Sequence, residues 1–349
     1  KKCGQANRAH KPPWIMRLNG EMNNYADLNA LSKVFGIRRT SISVRLLFCQ
    51  ISGYSMASQS VYFKQKWLPI ALIFPQLAIT LIFFIWPAGQ ALLQSFQLED
   101  AFGLSREFVG LENFQRLFND NYYFDSLITT LIFSTSVVLL SMLSAVILAG
   151  IAEQILRGKL FYRTILIAPY AIAPVIAGFL WLFMLDPTIG VLSRVLNKIG
   201  INWEPVLNTS HAMWMVILTA TWKQISYNFL FFLAALQSVP KSLLEAAAID
   251  GSGPIKRFIT ISLPLISPTT FFLLVVNFAY AFFDTFPIIH AMTQGGPGNS
   301  TSTLVYKVYN DGFVGLDLGS SAAQSVILML IVAILTIIQF RYVEKKVAY

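Results

Sequence analysis

Charged residues are scarce in this 349-residue sequence: Asp, Glu, Lys and Arg make up only 12% of it, whereas 55% of its residues are hydrophobic. Ordinary soluble domains carry about 25% charged residues. A soluble fold of this length could bury a large core, but it could not also cover its surface with so few polar groups. The composition therefore excludes a typical soluble enzyme and predicts a protein in contact with lipid.

Cysteine and histidine are also scarce. The two cysteines, Cys3 and Cys49, both precede residue 56, so no disulfide or cysteine-based zinc site can form in the rest of the chain. Only His10, His211 and His290 could supply an imidazole. The motifs Gly-x-x-x-x-Gly-Lys-Ser/Thr, Gly-x-Gly-x-x-Gly and His-Glu-x-x-His are missing as well. We therefore expect no catalytic residues, no metal and no cofactor bound by this chain, and we predict a role in transport.

The positive charge is concentrated near the N-terminus. Residues 1–55 hold nine Lys/Arg and two Asp/Glu, whereas residues 56–349 hold 17 and 15. The formal charge of +9 is therefore weak support for a nucleic-acid partner, and we expect none. Residues 1–55 do not begin with Met, and Met56 leads directly into the first apolar stretch. We interpret residues 1–55 as a non-native or disordered basic extension, with a regulatory arm as the alternative.

Six apolar stretches are long enough to cross a hydrocarbon layer of about 30 Å, which takes about 20 helical residues. They do not show the alternating polarity of membrane β-barrel strands. The sequence therefore predicts an all-α polytopic membrane protein with six transmembrane helices, surrounded by lipid. The stretches are residues 68–93, 126–152, 164–185, 212–237, 269–291 and 322–340.

Lys and Arg are enriched in alternate loops, which predicts the orientation of the chain. One set of loops holds 11 Lys/Arg in 63 positions and the other holds five in 85. We therefore expect both termini to be cytoplasmic. The predicted division is residues 56–125 for the first transmembrane helix and first periplasmic segment, 126–340 for the transmembrane core, and 341–349 for a cytoplasmic tail.

The cytoplasmic loop between the fourth and fifth stretches has the pattern of a helical hairpin. Ser242 and Glu245 have the spacing of a capping box, and the three alanines at 246–248 favour helix. Gly-Ser-Gly-Pro at 251–254 can end one helix and start another. The pattern predicts a helix, a tight turn and a second helix that ends at Leu263-Pro264. A self-contained hairpin, with Glu245 serving only as a cap, is the alternative to a docking role.

The same loop, residues 240–264, carries a family motif. Glu245-Ala246-Ala247-Ala248-Ile249-Asp250-Gly251 followed by Ile261-Ser262-Leu263-Pro264 resembles the EAA motif of ABC importer permeases of the carbohydrate type, with Ser252 where that group often has Ala. The resemblance implies a coupling helix that docks on a separate subunit, which binds ATP and Mg and hydrolyses the ATP. It also implies that the docking residues are Glu245, Ala246, Ala247, Asp250 and Gly251.

Four longer stretches resemble the first permease subunits of bacterial sn-glycerol-3-phosphate importers: Phe83–Gly89, Trp222–Leu230, Ala281–Pro287 and Gly315–Leu318. The resemblance implies a type I ABC importer permease fold in the bacterial inner membrane, and a substrate that is sn-glycerol-3-phosphate or a related glycerophosphodiester. The implied partners are a second permease subunit, an ABC ATPase dimer and a periplasmic substrate-binding protein. Two alternatives stay open here: a permease for a neutral sugar or oligosaccharide, and an ion-coupled carrier or intramembrane enzyme.

Lys223 and Asp284 are full charges inside predicted spans, where charges are costly and face a partner or a water-filled path. Counted from the inner ends of their helices, both lie roughly 21 to 23 Å from the cytoplasmic side. One interpretation is a structural ion pair. The other is that Lys223 attracts an anionic substrate and Asp284 holds it when the site is empty. Further candidates for the pathway, or else for bonds between helices, are Gln224, Tyr227, Asn228, Asn277 and Tyr280.

Overall fold

The computed structural model describes residues 67–99, 105–154 and 158–343. The N-terminal extension 1–55, its junction at Met56 and most of the C-terminal tail lie outside the described residues. Contacts within the chain divide it after Pro75, and the packing described below concerns residues 76–343. Residues 67–75, taken by themselves, form the beginning of the first helix.

The described residues are mainly helical. In chain order the elements are α1 Trp67–Thr80, α2 Trp86–Gln94, β1 Gln97–Glu99, β2 Arg106–Phe108, α3 Glu112–Phe118, α4 Asn121–Gln154, α5 Lys159–Ile167, α6 Pro174–Leu185, α7 Val191–Lys198, α8 Thr209–Ser238, α9 Lys241–Ile249, α10 Pro254–Arg257, α11 Leu263–Leu265, α12 Ser267–Ala279, α13 Phe286–Met292, α14 Leu304–Tyr309 and α15 Leu318–Ile338. Wider π-helical segments cover Leu81–Ile85, Phe258–Ser262, Tyr280–Asp284, Asn310–Val314 and Gln339–Val343.

Three helical stretches are each long and apolar enough to cross a bilayer: Trp67–Gln94, Asn121–Glu153 and Leu318–Arg341. Three further pairs of helices meet that criterion jointly and are bent at a short break. The described chain therefore has three spans, or up to six if each bent pair is one span. The pairs are Leu160–Ala171 with Pro174–Leu185, Thr209–Ser238 with Lys241–Ile249, and Pro254–Leu265 with Ser267–Asp284.

The third predicted span, 164–185, is not one straight helix. A 3₁₀ turn at Ala168–Ala171 separates α5 from α6, and the helices on either side of the break meet at 104°. Ala173 has extended backbone angles because it precedes Pro174, which starts α6. The fifth predicted span, 269–291, is also interrupted, since its π-helical segment ends at Asp284 and α13 starts at Phe286.

A two-stranded β-hairpin, which was not predicted, lies between α2 and α3. Gln97 pairs with Phe108 and Glu99 with Arg106 in antiparallel register. Behind the hairpin, the Asn113 amide donates to the carbonyl oxygens of Ser95 and Gln97, at 3.0 and 2.9 Å. The strands are only three residues long, too short for an alternating pattern to stand out from the surrounding loop.

The packed core lies where α4 and α8 run against each other. Near the inner ends of these helices, Ala145 and Ala149 of α4 are fully buried against Phe229 and Phe232 of α8. Small residues allow helices to approach closely, which is how membrane helices gain van der Waals contact in the absence of a hydrophobic driving force. A second buried cluster, around Phe133, forms between α4, α6, α8 and α13.

A buried ionic cluster joins the outer ends of the predicted second and sixth spans. The Lys307 ammonium is 3.0 Å from the Asp120 carboxylate and 2.9 Å from that of Asp311, and its side chain is only 4% exposed. The Gln324 amide donates to Asp311 at 2.6 Å, and the Tyr122 ring centroid lies 4.2 Å from the ammonium. The sequence analysis missed this cluster, because Asp120 and Lys307 are far apart along the chain.

Burial opposes the charged form of Lys307, but the hydrogen bonds and charges of Asp311 and Asp120 outweigh it and raise the Lys307 pKa above 10.5. A raised pKa means that the cluster stabilises the fold fully below pH 10.5 and loses this effect as the pH rises through the higher folded value. We expect Lys307→Met to lower the free energy of unfolding by about 2 to 3 kcal/mol, because it leaves two partly exposed carboxylates without their cation.

Thermal unfolding in detergent at several pH values measures this effect. The difference between wild type and Lys307→Met should stay constant from pH 7 to 9 and shrink above pH 10.5. A difference that grows with rising pH would contradict the assigned role of Lys307.

Candidate functional site

The predicted hairpin is present on the loop between α8 and α12. Helix α9 ends at Ile249, and Gly251 follows with a left-handed φ of +78°. The Ser252 amide donates to the carbonyl of Ala247, and the Gly251 amide donates to that of Ala248. These two bonds define a Schellman turn, which favours glycine because other residues are strained at that φ. A second helical run then extends from Pro254 to Leu265, one residue beyond the predicted end.

The predicted capping box is wrong. Helix α9 begins at Lys241, so Pro240 occupies the N-cap and Ser242 lies inside the first turn. No side chain caps this end of the helix. Proline fixes the backbone angles at the start of the helix and displaces the expected cap by two positions. Glu245 is exposed, and its carboxylate has no hydrogen-bond partner within the described part of the chain.

One face of the hairpin packs against the transmembrane core. Arg257 donates from Nη1 to the carbonyl of Leu244 at 3.1 Å, which ties the two helices of the hairpin together. Leu244 and Phe258 pack on the cluster of α4 and α8 residues described above. A Cβ atom at Gly150 of α4 would lie 2.9 Å from the Phe258 ring. The hairpin is therefore packed directly against the C-terminal ends of α4 and α8.

The opposite face of the hairpin is exposed. The Ile249 side chain is 88% exposed and that of Ile255 is 75% exposed. The five residues predicted to dock an ATPase lie on α9 or directly after it: Glu245, Ala246, Ala247, Asp250 and Gly251. Four of them are exposed, and Ala247 is half-buried. The small side chains leave the α9 backbone open to close approach. The hairpin therefore presents a compact, partly apolar surface with two exposed carboxylates, those of Glu245 and Asp250.

Lys223 does not form the expected ion pair with Asp284. Its ammonium donates to the backbone carbonyls of Ile172 at 2.8 Å and Tyr170 at 3.3 Å, and its residue is 8% exposed. These carbonyls lie at the break between α5 and α6, where the helical hydrogen-bond ladder is interrupted. Carbonyl groups that lose their helical partners need another donor where water is excluded. Lys223 supplies that donor and so stabilises the bend of the third span.

Tyr280 links the fifth span to α8. The Tyr280 hydroxyl donates to the carbonyl of Ala220 at 3.4 Å. The equal depth of Lys223 and Asp284 in the membrane stays a prediction.

Asn228 and Asn277 form a closed buried network between α8 and α12. The Asn277 amide donates to the Asn228 oxygen at 2.7 Å, and the Asn228 amide donates to the Asn277 oxygen at 3.0 Å. Ser141 of α4 accepts a further bond from the Asn228 amide at 3.2 Å. Both asparagines are fully buried. This geometry is that of a bond between helices, and Ser141 is the member that sequence analysis missed.

The remaining predicted pathway residues are placed differently from one another. Gln224 is buried, and Tyr227 is half-buried between the rings of Tyr170 and Phe231, at 5.8 and 4.8 Å between centroids. Asp284 is exposed, and its carboxylate has no hydrogen-bond or ion-pair partner among the described residues. Hydrogen bonds within the chain therefore pair the side chains of Lys223, Asn228, Asn277 and Tyr280. The Asp284 carboxylate has no such partner among the described residues.

Apolar helices long enough to span a bilayer and a buried network of polar side chains are features of a polytopic membrane protein. The sequence matches the model of one protein family, described as the binding-protein-dependent transport system inner membrane component, over residues 146–349, which is more than half of the chain. The chain belongs to this family.

Curated relatives are similar over nearly their whole length. A protein of Yersinia pestis biovar Antiqua is 60% identical over 287 residues, which cover 82% of this chain and 97% of the relative. One from Agrobacterium fabrum is 61% identical over 291 residues, 83% of this chain and 99% of the relative. One from Escherichia coli is 56% identical over 294 residues, which cover 84% of this chain and 100% of the relative. Each is named sn-glycerol-3-phosphate transport system permease protein UgpA.

Solved structures support the same fold. A chain of a bacterial ABC transporter involved in the import of the acidic polysaccharide alginate superimposes with a TM-score of 0.67, covering 79% of this chain and 96% of that chain at 24% identity. A second solved chain belongs to a bacterial alginate ABC transporter in complex with an alginate pentasaccharide-bound periplasmic protein. It superimposes with a TM-score of 0.68, covering 78% of this chain and 92% of that chain at 22% identity. At this identity the likeness shows the fold alone.

The asparagine pair leads to a test of its structural role. We expect Asn277→Leu to destabilise the protein by about 1 to 2 kcal/mol, because it removes both bonds between the asparagines and leaves the buried Asn228 side chain with only its bond to Ser141. Asn228→Leu should act similarly, and the double variant should cost less than the sum because neither amide is then left without a partner. Thermal unfolding in detergent gives the three values. Additive effects would show that the two amides do not depend on each other.

Proposed function

We propose that this chain is the permease subunit of an ATP-driven importer that moves sn-glycerol-3-phosphate, and related glycerophosphodiesters, into the cell. One observation carries the substrate assignment: identity of 56–61% to sn-glycerol-3-phosphate transport permeases over nearly their whole length. The fold alone would fit several substrates, since the similar solved structures belong to alginate transporters. The neutral-sugar permease is therefore the weaker alternative, and an ion-coupled carrier does not account for the free hairpin.

The proposed arrangement is a multi-pass protein of the bacterial inner membrane with six spans and both termini in the cytoplasm. Three helices long enough to span and three bent pairs support this number. The distribution of Lys and Arg among the loops supports the orientation. In this arrangement the hairpin of α9 and α10 is cytoplasmic, and the β-hairpin and the Lys307 cluster lie on the periplasmic side.

Energy enters, in this proposal, through the hairpin. ATP and Mg bind to a separate ATPase dimer, and this chain hydrolyses nothing itself. The free outer face of α9 supports this division, as does the lack of a phosphate-binding loop in the sequence. The other proposed partners are a second permease subunit, which completes the pore, and a periplasmic substrate-binding protein. A solved relative of the same fold is in complex with a periplasmic protein.

The proposed translocation path runs beside α8 and the fifth span, whose candidate residues keep distinct roles. Lys223, Asn228, Asn277 and Tyr280 hold the helices that form the wall of the path, since their polar groups are paired within the chain. Gln224 and Tyr227 add polar groups to the same wall. Asp284 is the candidate whose charged group is left available.

Reconstitution tests the substrate. The permease pair, the ATPase and the periplasmic binding protein are combined in vesicles, and uptake of labelled sn-glycerol-3-phosphate is measured with and without ATP. We expect ATP-dependent uptake that unlabelled glycerol-3-phosphate suppresses and maltose or lactose does not. Suppression by the sugars, or uptake by this chain alone without the ATPase, would overturn the proposal.

Gly251 provides a test of the coupling role. A Cβ atom at this position would meet nothing within 4 Å, so a substitution acts through backbone strain rather than through a clash. We expect Gly251→Val to lower ATP-dependent uptake by about tenfold or more while membrane insertion stays normal, because valine resists the left-handed conformation. The matched control is Gly251→Asn, since asparagine tolerates that conformation and should keep most of the uptake. Equal uptake in the two variants would refute the role of this turn.

A further inference from the structure

Asp284 is a charged group on a membrane-spanning segment that the chain itself leaves unpaired. The side chain is exposed, and the only intramembrane cation that the sequence analysis offered as its partner, Lys223, is occupied by two backbone carbonyls. No ion pair among the described residues involves Asp284. The carboxylate therefore needs a partner outside this chain.

Lipid is not a suitable environment for this carboxylate. Asp284 lies seven residues before the end of the predicted fifth span, residues 269–291, which is about 10 Å of helix. A charge at such a depth costs up to a few kcal/mol when it faces hydrocarbon. Charged residues in spans therefore face water-filled cavities or partner groups, and Asp284 is expected to do the same.

The helix is interrupted at Asp284. Asp284 is the last residue of a π-helical segment, and the helix restarts at Phe286. Such interruptions are tolerated in membranes only where they are buried in protein or line a cavity that contains water. The break in the third span is of the buried kind, because Lys223 fills it. The break in the fifth span ends on an exposed carboxylate, and π-helical turns of this kind are frequent at functional sites.

From these observations we propose that Asp284 lines the outer part of the translocation path and accepts hydrogen bonds from the hydroxyl groups of the glycerol moiety of the substrate. The inference rests on the proposed function, since it takes the cargo to be a polyol phosphate. A carboxylate accepts hydrogen bonds and repels anions, so it would orient the glycerol end toward itself and the phosphate away. Asp284 would then be a specificity-determining residue rather than a structural one.

The first test measures transport in the reconstituted four-component complex with saturating loaded binding protein. We expect Asp284→Asn to lower the maximal uptake of glycerol-3-phosphate by about tenfold or more, as for loss of hydrogen bonds to a charged acceptor. Complex assembly and ATP hydrolysis stimulated by the binding protein should change by less than about twofold, and Asp284→Glu should restore most of the uptake. Asp125→Asn, which removes another exposed carboxylate from the outer end of a span, is the matched control and should transport normally.

The second test asks whether position 284 meets water. In a background without Cys3 and Cys49, Asp284→Cys should react with a membrane-impermeant maleimide during turnover, and glycerol-3-phosphate should slow the reaction. Ile82→Cys, at a position that is 55% exposed on an apolar helix, should stay unlabelled.

Three results would overturn the inference: uptake by Asp284→Asn within about twofold of wild type, a cysteine at 284 that stays unlabelled, or failure of Asp284→Asn to assemble with the second permease subunit. The last result would place the carboxylate in a contact between subunits. If the wild-type complex takes up no glycerol-3-phosphate at all, the proposed function fails instead, and the labelling pattern still reports whether Asp284 faces water.

Discussion

The structure depends on one constraint: a polar group inside the membrane must find a partner, because the hydrocarbon offers none. Lys223 meets this constraint by donating to the carbonyls of Tyr170 and Ile172, which the bend between α5 and α6 leaves without helical partners. Asn228 and Asn277 meet it by pairing with each other across α8 and α12. These hydrogen bonds therefore offset the cost of removing the polar groups from water, and they fix the register of the helices. Asp284 is a full charge with no hydrogen-bond or ion-pair partner among the described residues, which is why we propose that it faces the path.

The second feature is the mechanical connection between the hairpin and the spans. The inner ends of α4 and α8 are packed through alanines and phenylalanines, and Phe258 of the hairpin lies directly against Gly150 of α4. Two Schellman hydrogen bonds define the hairpin turn, and Arg257 ties the two helices of the hairpin together. The exposed face of the hairpin carries Ile249 and Glu245. We propose that a partner bound to this face acts on the spans through these packing contacts.

Much of the fold and part of the site could be predicted from the sequence. The apolar stretches indicated the helices, and the glycines at 251 and 253 with Pro254 indicated the hairpin, because these signals are local. The capping box failed because Pro240 shifted the start of α9 by two positions. The Lys223–Asp284 ion pair was wrong because Lys223 donates to carbonyls at the bend between α5 and α6, and a residue count from helix ends does not reveal that bend. The Lys307 cluster could not be found at all, since its members meet only after distant segments pack together.

We propose that a separate ATP-hydrolysing subunit binds the exposed face of α9. Photo-crosslinking measures this contact directly: a photoreactive amino acid is placed at Ile249, which is 88% exposed, and, as a control, at Leu93, which is 66% exposed near the outer end of the first span. The complex is assembled in vesicles and irradiated. We expect position 249 to crosslink to the ATPase subunit and position 93 to give no such product. If position 249 crosslinks to nothing while the complex still transports, the hairpin is not the point at which ATP energy enters.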